Sequence, residues 1–269
     1  MLLINPANAE YGGTLSRFTP LSLPMSIGCL AAIMKEKCEV RIWDEELGLI
    51  NDENIDELVE GLEKPYVFGI TVLTAQADRA YNLAGFLKEK FPDSIIIMGG
   101  FHVTALPNEP FEETNVDYVV RGEGERTIKE LYDYIRGNSE QELEKIYGLT
   151  YKKNGKLYNT FERPLIKDLS ELPDFPYDMF VEMLDKANVN CIRKHNYDWG
   201  FIVTSRGCPM RCTYCAQRMM TGNTYRWRPI DVVLKELDIL INRFGAKSIF
   251  FLDDNFCWKK KHSIELCEK

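Results

Sequence analysis

The 269-residue sequence is 45% apolar and 28% charged, with a formal net charge of −8. That apolar share builds a full globular core over one large or two ordinary domains and excludes a disordered chain, while the acidic balance argues against a general nucleic-acid binder. No apolar stretch approaches the roughly 20 residues of a membrane span, and the opening MLLINPANAE lacks the basic start and apolar run of a signal peptide, so the eight cysteines are expected in a reducing, cytoplasmic setting.

A strand is predicted at Leu2–Ile4, followed by Asn5-Pro6 and a loop of small residues through Gly12 and Gly13. Leu23, Ile27, Leu30, Ala31 and Met34 recur at helical spacing within a helix from Ser22 to Lys37. The second strand, Val40–Trp43, closes at Asp44, and Ile55, Leu58, Val59 and Leu62 mark a second helix. A strand at Val67–Thr71, a helix at Ala77–Phe91, strands at Ser94–Met98 and Val116–Val120 and a helix at Thr127–Ile135 complete the first 143 residues. Strands alternating with helices predict a parallel α/β sheet, and runs such as Ile95-Ile96-Ile97-Met98 predict that both of its faces are covered. Ligands of such sheets bind at the strand carboxyl ends. Those ends carry Asn5–Gly13, Thr71-Val72-Leu73-Thr74, Gly99-Gly100-Phe101-His102 and Arg121-Gly122-Glu123-Gly124-Glu125. Each glycine pair alone is equally an ordinary strand-to-helix turn.

Residues 144–198 read as a connection. A β-hairpin is predicted between Gly148 and Phe161 with Asn154-Gly155 as its turn, then a proline-rich linker from Leu165 to Pro176 and a short helix at Met179–Leu184. From residue 199 the pattern is strand, loop, helix, strand: Phe201–Val203, then an amphipathic helix from Ile230 ending at Gly245, then Ser248–Leu252 with Asp253-Asp254-Asn255-Phe256 at its tip. The loop between holds Cys208, Cys212 and Cys215 at C-x3-C-x2-C spacing, and Gly207 and Pro209 keep it from closing into a helix. Three convergent thiolates suit an iron–sulfur cluster or a zinc ion, but zinc wants a fourth ligand and none lies at a zinc-like spacing. A cubane held by three cysteines leaves one iron open. Cys29, Cys38, Cys191, Cys257 and Cys267 are scattered and read as small buried hydrophobes or inert thiols.

The cysteine spacing, directly after a strand and with the aromatic Tyr214 before the last cysteine, resembles the radical S-adenosylmethionine (SAM) superfamily. The resemblance implies a [4Fe–4S] cluster on Cys208, Cys212 and Cys215, with SAM chelated to the open iron through its amino and carboxylate groups. Reduction would then cleave SAM to methionine and a 5′-deoxyadenosyl radical. Thr71-Val72-Leu73 and Gly99-Gly100 match, in order and spacing, the cobalamin-binding Rossmann-like domain. The run Gly-Gly-x-His, then Asp-x-Val-Val-x-Gly-Glu-Gly-Glu, resembles the cobalamin-dependent branch of radical SAM enzymes, as does Asp253-Asp254-x-Phe256. The resemblance therefore implies a doubly wound Rossmann-like domain at 1–143, followed after the connection by the first part of a partial (β/α)6 barrel at 199–269. It implies cobalamin contacts at Thr71, Leu73, Thr74, Gly99, Gly100, His102, Gly122, Glu123 and Gly124, and SAM contacts at Tyr214, Asp253 and Asp254; either aspartate equally orders the site or caps the next helix. The sequence departs from methionine-synthase-like cobalamin proteins, because Asn5–Gly13 carries no histidine to ligate cobalt. His102 is expected against the cofactor tail or packed in its turn. Arg206, Arg211, Arg218, Arg226 and Arg228 crowd the cysteine loop, where they offset cluster charge, contact an anionic substrate or form a solvated basic face.

The implied activity is methyl transfer to an unactivated centre of a small-molecule or peptide substrate, with a flavodoxin- or ferredoxin-type electron donor. A radical SAM cyclase or rearrangement enzyme of tetrapyrrole or natural-product biosynthesis is the second reading, and a cobalamin carrier with a vestigial cluster domain the third. A six-unit barrel needs roughly 200 residues by analogy with ~250 for eight units. Only 70 residues follow Trp199. A truncated second domain is therefore expected, mobile or packed against the first domain or another copy.

Overall fold

The computed structural model describes residues 1–8, 23–186 and 199–269; Gly12, Gly13, Cys191 and His195 lie outside the described residues. The first unit runs β1 (Leu2–Asn5), α1 (Met25–Met34), β2 (Arg41–Asp44), α2 (Ile55–Val59), β3 (Val67–Thr71), α3 (Ala77–Lys90), β4 (Ile95–Gly99), α4 (Phe101–Ala105), α5 (Pro110–Glu113), β5 (Tyr118–Val120) and α6 (Glu125–Ile135). Strands β6 (Leu149–Lys153) and β7 (Lys156–Asn159) follow. Among the described residues these form a seven-stranded sheet in the order β2-β1-β3-β4-β5-β6-β7. The first five strands pair parallel, as their alternation with helices predicts. Order reverses between β1 and β3, the switch point at which doubly wound sheets bind ligands.

The β-branched run of β4 is buried on both faces, with Ile96 and Met98 covered on one and Ile97 on the other. Helix α1 buries Ile27, Ala31 and Met34 against the sheet, and α3 buries Ala80, Leu83, Ala84 and Leu87. The sheet is mixed rather than wholly parallel. The hairpin turns through Asn154 (φ 52°) and Gly155 (φ 76°), both left-handed as a two-residue hairpin requires. It then pairs antiparallel with β5 and adds two strands to the first sheet. Helices α4 and α5 have no predicted counterpart, because five and four residues are too few to display a helical period.

The second unit comprises α7 (Tyr177–Lys186), β8 (Trp199–Ile202), β9 (Ser205–Arg206), α8 (Gln217–Met220), β10 (Arg226–Trp227), α9 (Ile230–Asp238), β11 (Ser248–Phe251) and α10 (Lys260–Glu268). Strands β8 and β11 pair parallel, bridged by α9 and the π-turn Ile239–Arg243 that extends it. Strands β9 and β10 pair antiparallel and form the neck of the cysteine loop. Their core is small: Tyr177, Ile202, Val233, Leu240, Ala246 and Leu266. Phe250 on β11 stays 47% exposed. This unit packs against the first, since Leu23 and Phe175 touch both cores and Phe180 and Met183 of α7 are buried in the larger one.

Burial assigns unequal weights to leucines of one chemistry. Leu83 is fully buried under the sheet and Leu106, just past α4, is 49% exposed. Leu83→Ala should lower the unfolding free energy by about 2–5 kcal/mol. Leu106→Ala should change it by about 0.5 kcal/mol or less. Urea denaturation followed by circular dichroism checks both, and equal losses would contradict the packing described.

Candidate functional site between the two units

A cavity of about 290 Å³ opens at the carboxyl ends of β3, β4 and β5. Thr71, Gly99, Gly100, Gly122, Glu123 and Gly124 line it, over an apolar floor of Ile70, Ile97, Met98 and Val120. Its opposite wall comes from the second unit: Val203, Ser205, Arg206, Gln217, Thr221, Leu252 and Asp254. Gly100 has φ 104°, and a Cβ there would lie 2.9 Å from both the N and the O of Val72, so only glycine lets β4 turn this close to β3.

Three of the residues expected here are elsewhere. Leu73 is 44% exposed and off the cavity wall. Thr74 Oγ1 lies 3.3 Å from His102 Nδ1, while His102 Nε2 lies 3.1 Å from the Tyr81 hydroxyl and 2.9 Å from Glu109 Oε1. His102 is thus buried in the turn, tying α4 to α3, and its hydrogen bond holds the Glu109 carboxyl below the usual carboxylate range. Of the two expectations for His102, packing in the turn matches this geometry.

Cys208, Cys212 and Cys215 lie between β9 and α8, the first two half-buried and the third exposed. Tyr214 is 90% exposed. Gly207 enters the loop at φ 85°, where a Cβ would fall 2.3 Å from the Thr224 carbonyl oxygen; glycine is what allows the neck to close. Among the described residues no three His, Cys, Asp or Glu side chains gather closely enough for a single metal ion. The two aspartates brace this loop from β11. Asp253 accepts hydrogen bonds from the Thr204 N–H (3.1 Å), the Thr204 hydroxyl (2.8 Å) and the Ser205 hydroxyl. Asp254 accepts from the Gly207 N–H (3.0 Å) and from Gln217 Nε2 (2.6 Å). Burial lifts the Asp254 carboxyl above its ordinary range, although these donors pull it down.

The five arginines separate into two groups. Arg211 and Arg218 are exposed, whereas Arg206, Arg226 and Arg228 are drawn into buried ion pairs. Arg206 donates to Glu125 (2.5 Å) and Glu123 (3.3 Å). Arg226 donates to Glu123 (3.0 Å), the Ile166 carbonyl (2.6 Å) and the Thr221 carbonyl (2.8 Å). Burial alone would lower the pKa of Arg206, but Glu125, Cys29 and Glu123 outweigh it and hold the guanidinium above its usual range. Beside this pair Arg228 meets Glu236, and the Tyr177 hydroxyl lies 2.7 Å from both Glu236 Oε1 and the Phe201 carbonyl. Burial and then Glu236 push that hydroxyl well above the tyrosine range. Sequence reasoning placed Glu123 on a ligand and missed Glu125 and Glu236; the Gly-Glu-Gly-Glu run was the available signal, but not its direction.

Residues 16–132 match the family model described as the B12 binding domain, and residues 202–261 match that of the radical SAM superfamily. An uncharacterized methyltransferase of Pyrococcus horikoshii is 36% identical over 90% of this chain and 51% of its own length. The anaerobic magnesium-protoporphyrin IX monomethyl ester cyclase of Synechocystis is 28% identical over 100% of this chain and 52% of its own. The chain thus spans about half the length of the curated relatives it matches. The fold is shared with OxsB, a cobalamin-dependent SAM radical enzyme solved with aqua-cobalamin and SAM bound: TM-score 0.76, 21% identity, 99% of this chain and 36% of that one. The chain thus carries, in series, a B12 binding domain and a radical SAM segment.

Proposed function

We propose that this chain is the cofactor-bearing part of a cobalamin-dependent radical SAM methyltransferase acting on an unactivated centre of a small molecule or peptide. The observation that carries the reading is the single cavity walled by the glycine-rich strand ends of the first unit and by the elements that brace the cysteine loop of the second. We assign cobalamin to residues 1–143 and the cluster to 199–269, joined through 144–198.

The residues fit both groups. Thr71, Gly99, Gly100, Gly122 and Gly124 leave backbone rather than side chain against the cofactor, over an apolar floor. Among the described residues no histidine lines the cavity, so none of them would be on hand to ligate cobalt. Cys208, Cys212 and Cys215 would hold three irons of a cubane. Three thiolates with no fourth ligand at a zinc-like spacing suit a cluster, which spreads its ligands over separate irons. When bound, the cluster supplies the electron that cleaves SAM and cobalamin supplies the methyl group.

The protein's own work is position and electrostatics. Asp253 and Asp254 fix the two sides of the loop entrance, and the exposed Arg211 and Arg218 supply positive charge beside an anionic cluster. The exposed face of the loop, with Tyr214 and Cys215, suits docking of a flavodoxin- or ferredoxin-type donor in a reducing cytosol. No helix of the described residues is long and apolar enough to cross a membrane. A second reading keeps both cofactors but closes a ring on the substrate, and the match to the cyclase, over 100% of this chain and 52% of that protein, favours it. Product mass separates the two, since methylation adds one methylene unit per turnover.

Anaerobically reconstituted chain should show broad visible charge-transfer absorption that Cys212→Ala loses together with its iron. Unchanged iron in the variant, or zinc in place of iron, would contradict the assignment. Cobalamin reduced to its Co(II) state on the chain should show no axial hyperfine splitting from a histidine nitrogen in its EPR spectrum, so that His102→Ala leaves the spectrum unchanged. A splitting that His102→Ala removes would reverse the placement of that residue.

A further inference from the structure

Strands β9 and β10 are each two residues long and form the backbone ladder across the neck of the cysteine loop. Arg206 and Arg226 are register partners across that ladder. Like charges directly opposite on antiparallel strands repel, and a two-residue ladder has few backbone hydrogen bonds of its own to set against that. The side chain of Glu123 answers both at once: its carboxylate receives Arg206 from the strand that enters the loop and Arg226 from the strand that leaves it. It also accepts the Ile166 N–H of the connection at 2.9 Å. The side chains are almost out of water, at 5% exposure for Glu123, 6% for Arg226 and 13% for Arg206. Buried ion pairs contribute little net stability, but a single missing partner leaves a stranded charge, so they impose one geometry.

Glu123 sits between Gly122 and Gly124, both on the cavity wall assigned to cobalamin. A second contact runs in parallel, where α4, which follows Gly100, packs against α8, which follows the last cysteine.

We propose that Glu123 is a positioning residue that couples occupancy of the cobalamin cavity to the geometry of the cysteine loop. The inference rests on the cobalamin reading above. A ligand that settles against Gly122–Gly124 fixes the backbone bearing Glu123, Glu123 fixes Arg206 and Arg226 together, and the neck of the loop closes. An empty cavity leaves that backbone free to shift, and the two guanidiniums then drive the neck apart. The same carboxylate thus registers one cofactor site against the other without touching the reacting atoms.

The test is hydrogen exchange on the whole chain with and without hydroxocobalamin, compared at equal occupancy read from corrin absorbance. In wild type, cobalamin should slow exchange in peptides covering 205–206 and 226–227 by about tenfold, the scale of a charged hydrogen bond gained. In Glu123→Gln the slowing should fall within about twofold of none, while cobalamin-induced slowing in β3 and β4 persists. Arg226→Lys lies off the cavity wall and keeps the charge but not the fork that reaches Glu123, Ile166 and Thr221 together, so it should lose the slowing too. It carries the test if Glu123→Gln fails to fold or to take up cobalamin. Wild type that binds cobalamin with no change at the neck, or slowing that survives in a loaded variant, overturns the coupling. Wild type that binds no cobalamin overturns the functional reading and the inference with it, and is recognised by the missing corrin spectrum.

Discussion

One buried carboxylate between two guanidiniums holds this molecule in its working arrangement. Glu123 comes from the first sheet, while Arg206 and Arg226 flank the cysteine loop of the second unit. Removing such charges from water costs several kcal/mol per ion unless each finds its partner. The two units therefore have few ways to dock. Hydrophobic contact alone would specify less, because the second core is small and, among the described residues, shares only Leu23 and Phe175 with the first. Glu125 and the neighbouring Arg228–Glu236–Tyr177 group extend the same polar seam.

The two sides of that seam differ in regular structure. The parallel sheet is buried on both faces, so its carboxyl ends present Thr71, Gly99 and Gly100 from a fixed frame. The cysteine loop carries little regular structure and borrows its shape from outside: Asp253 and Asp254 from β11, Glu123 and Glu125 from the first unit. Groups that must be placed within a fraction of an ångström of each other are better mounted this way, with a rigid element on one side and a many-point bracket on the other.

The frame was legible in the sequence because each of its parts is local. Strands β1 to β5 are apolar runs, α1 and α3 show the helical period, and the Asn154-Gly155 turn names its own geometry. The three cysteines were legible because their spacing is their signal. What escaped was long-range or too short. Helix α4 is five residues hung on Gly100. The hairpin's attachment to β5 needed knowledge of which edge was open. Partners separated by 83 and 103 residues turned Arg206 and Arg226 from loop charges into a clasp on Glu123, and no local pattern distinguishes them from Arg211 or Arg218. For His102 the sequence left two places open, the cofactor tail or its own turn, because the partners that settle it, Thr74, Tyr81 and Glu109, are not its sequence neighbours.

The central claim is that cobalamin in the cavity and an iron–sulfur cluster on the cysteine loop, whose bracing elements wall that cavity, are held at one separation. It is tested most directly by pulsed EPR on the doubly loaded, reduced chain, in which the Co(II) centre and the reduced cluster are both paramagnetic and their dipolar coupling reports the distance between them. The arrangement predicts a resolved coupling with one narrow distance. A chain that carries both groups in full yet shows no coupling, or a broad spread of distances, would contradict it.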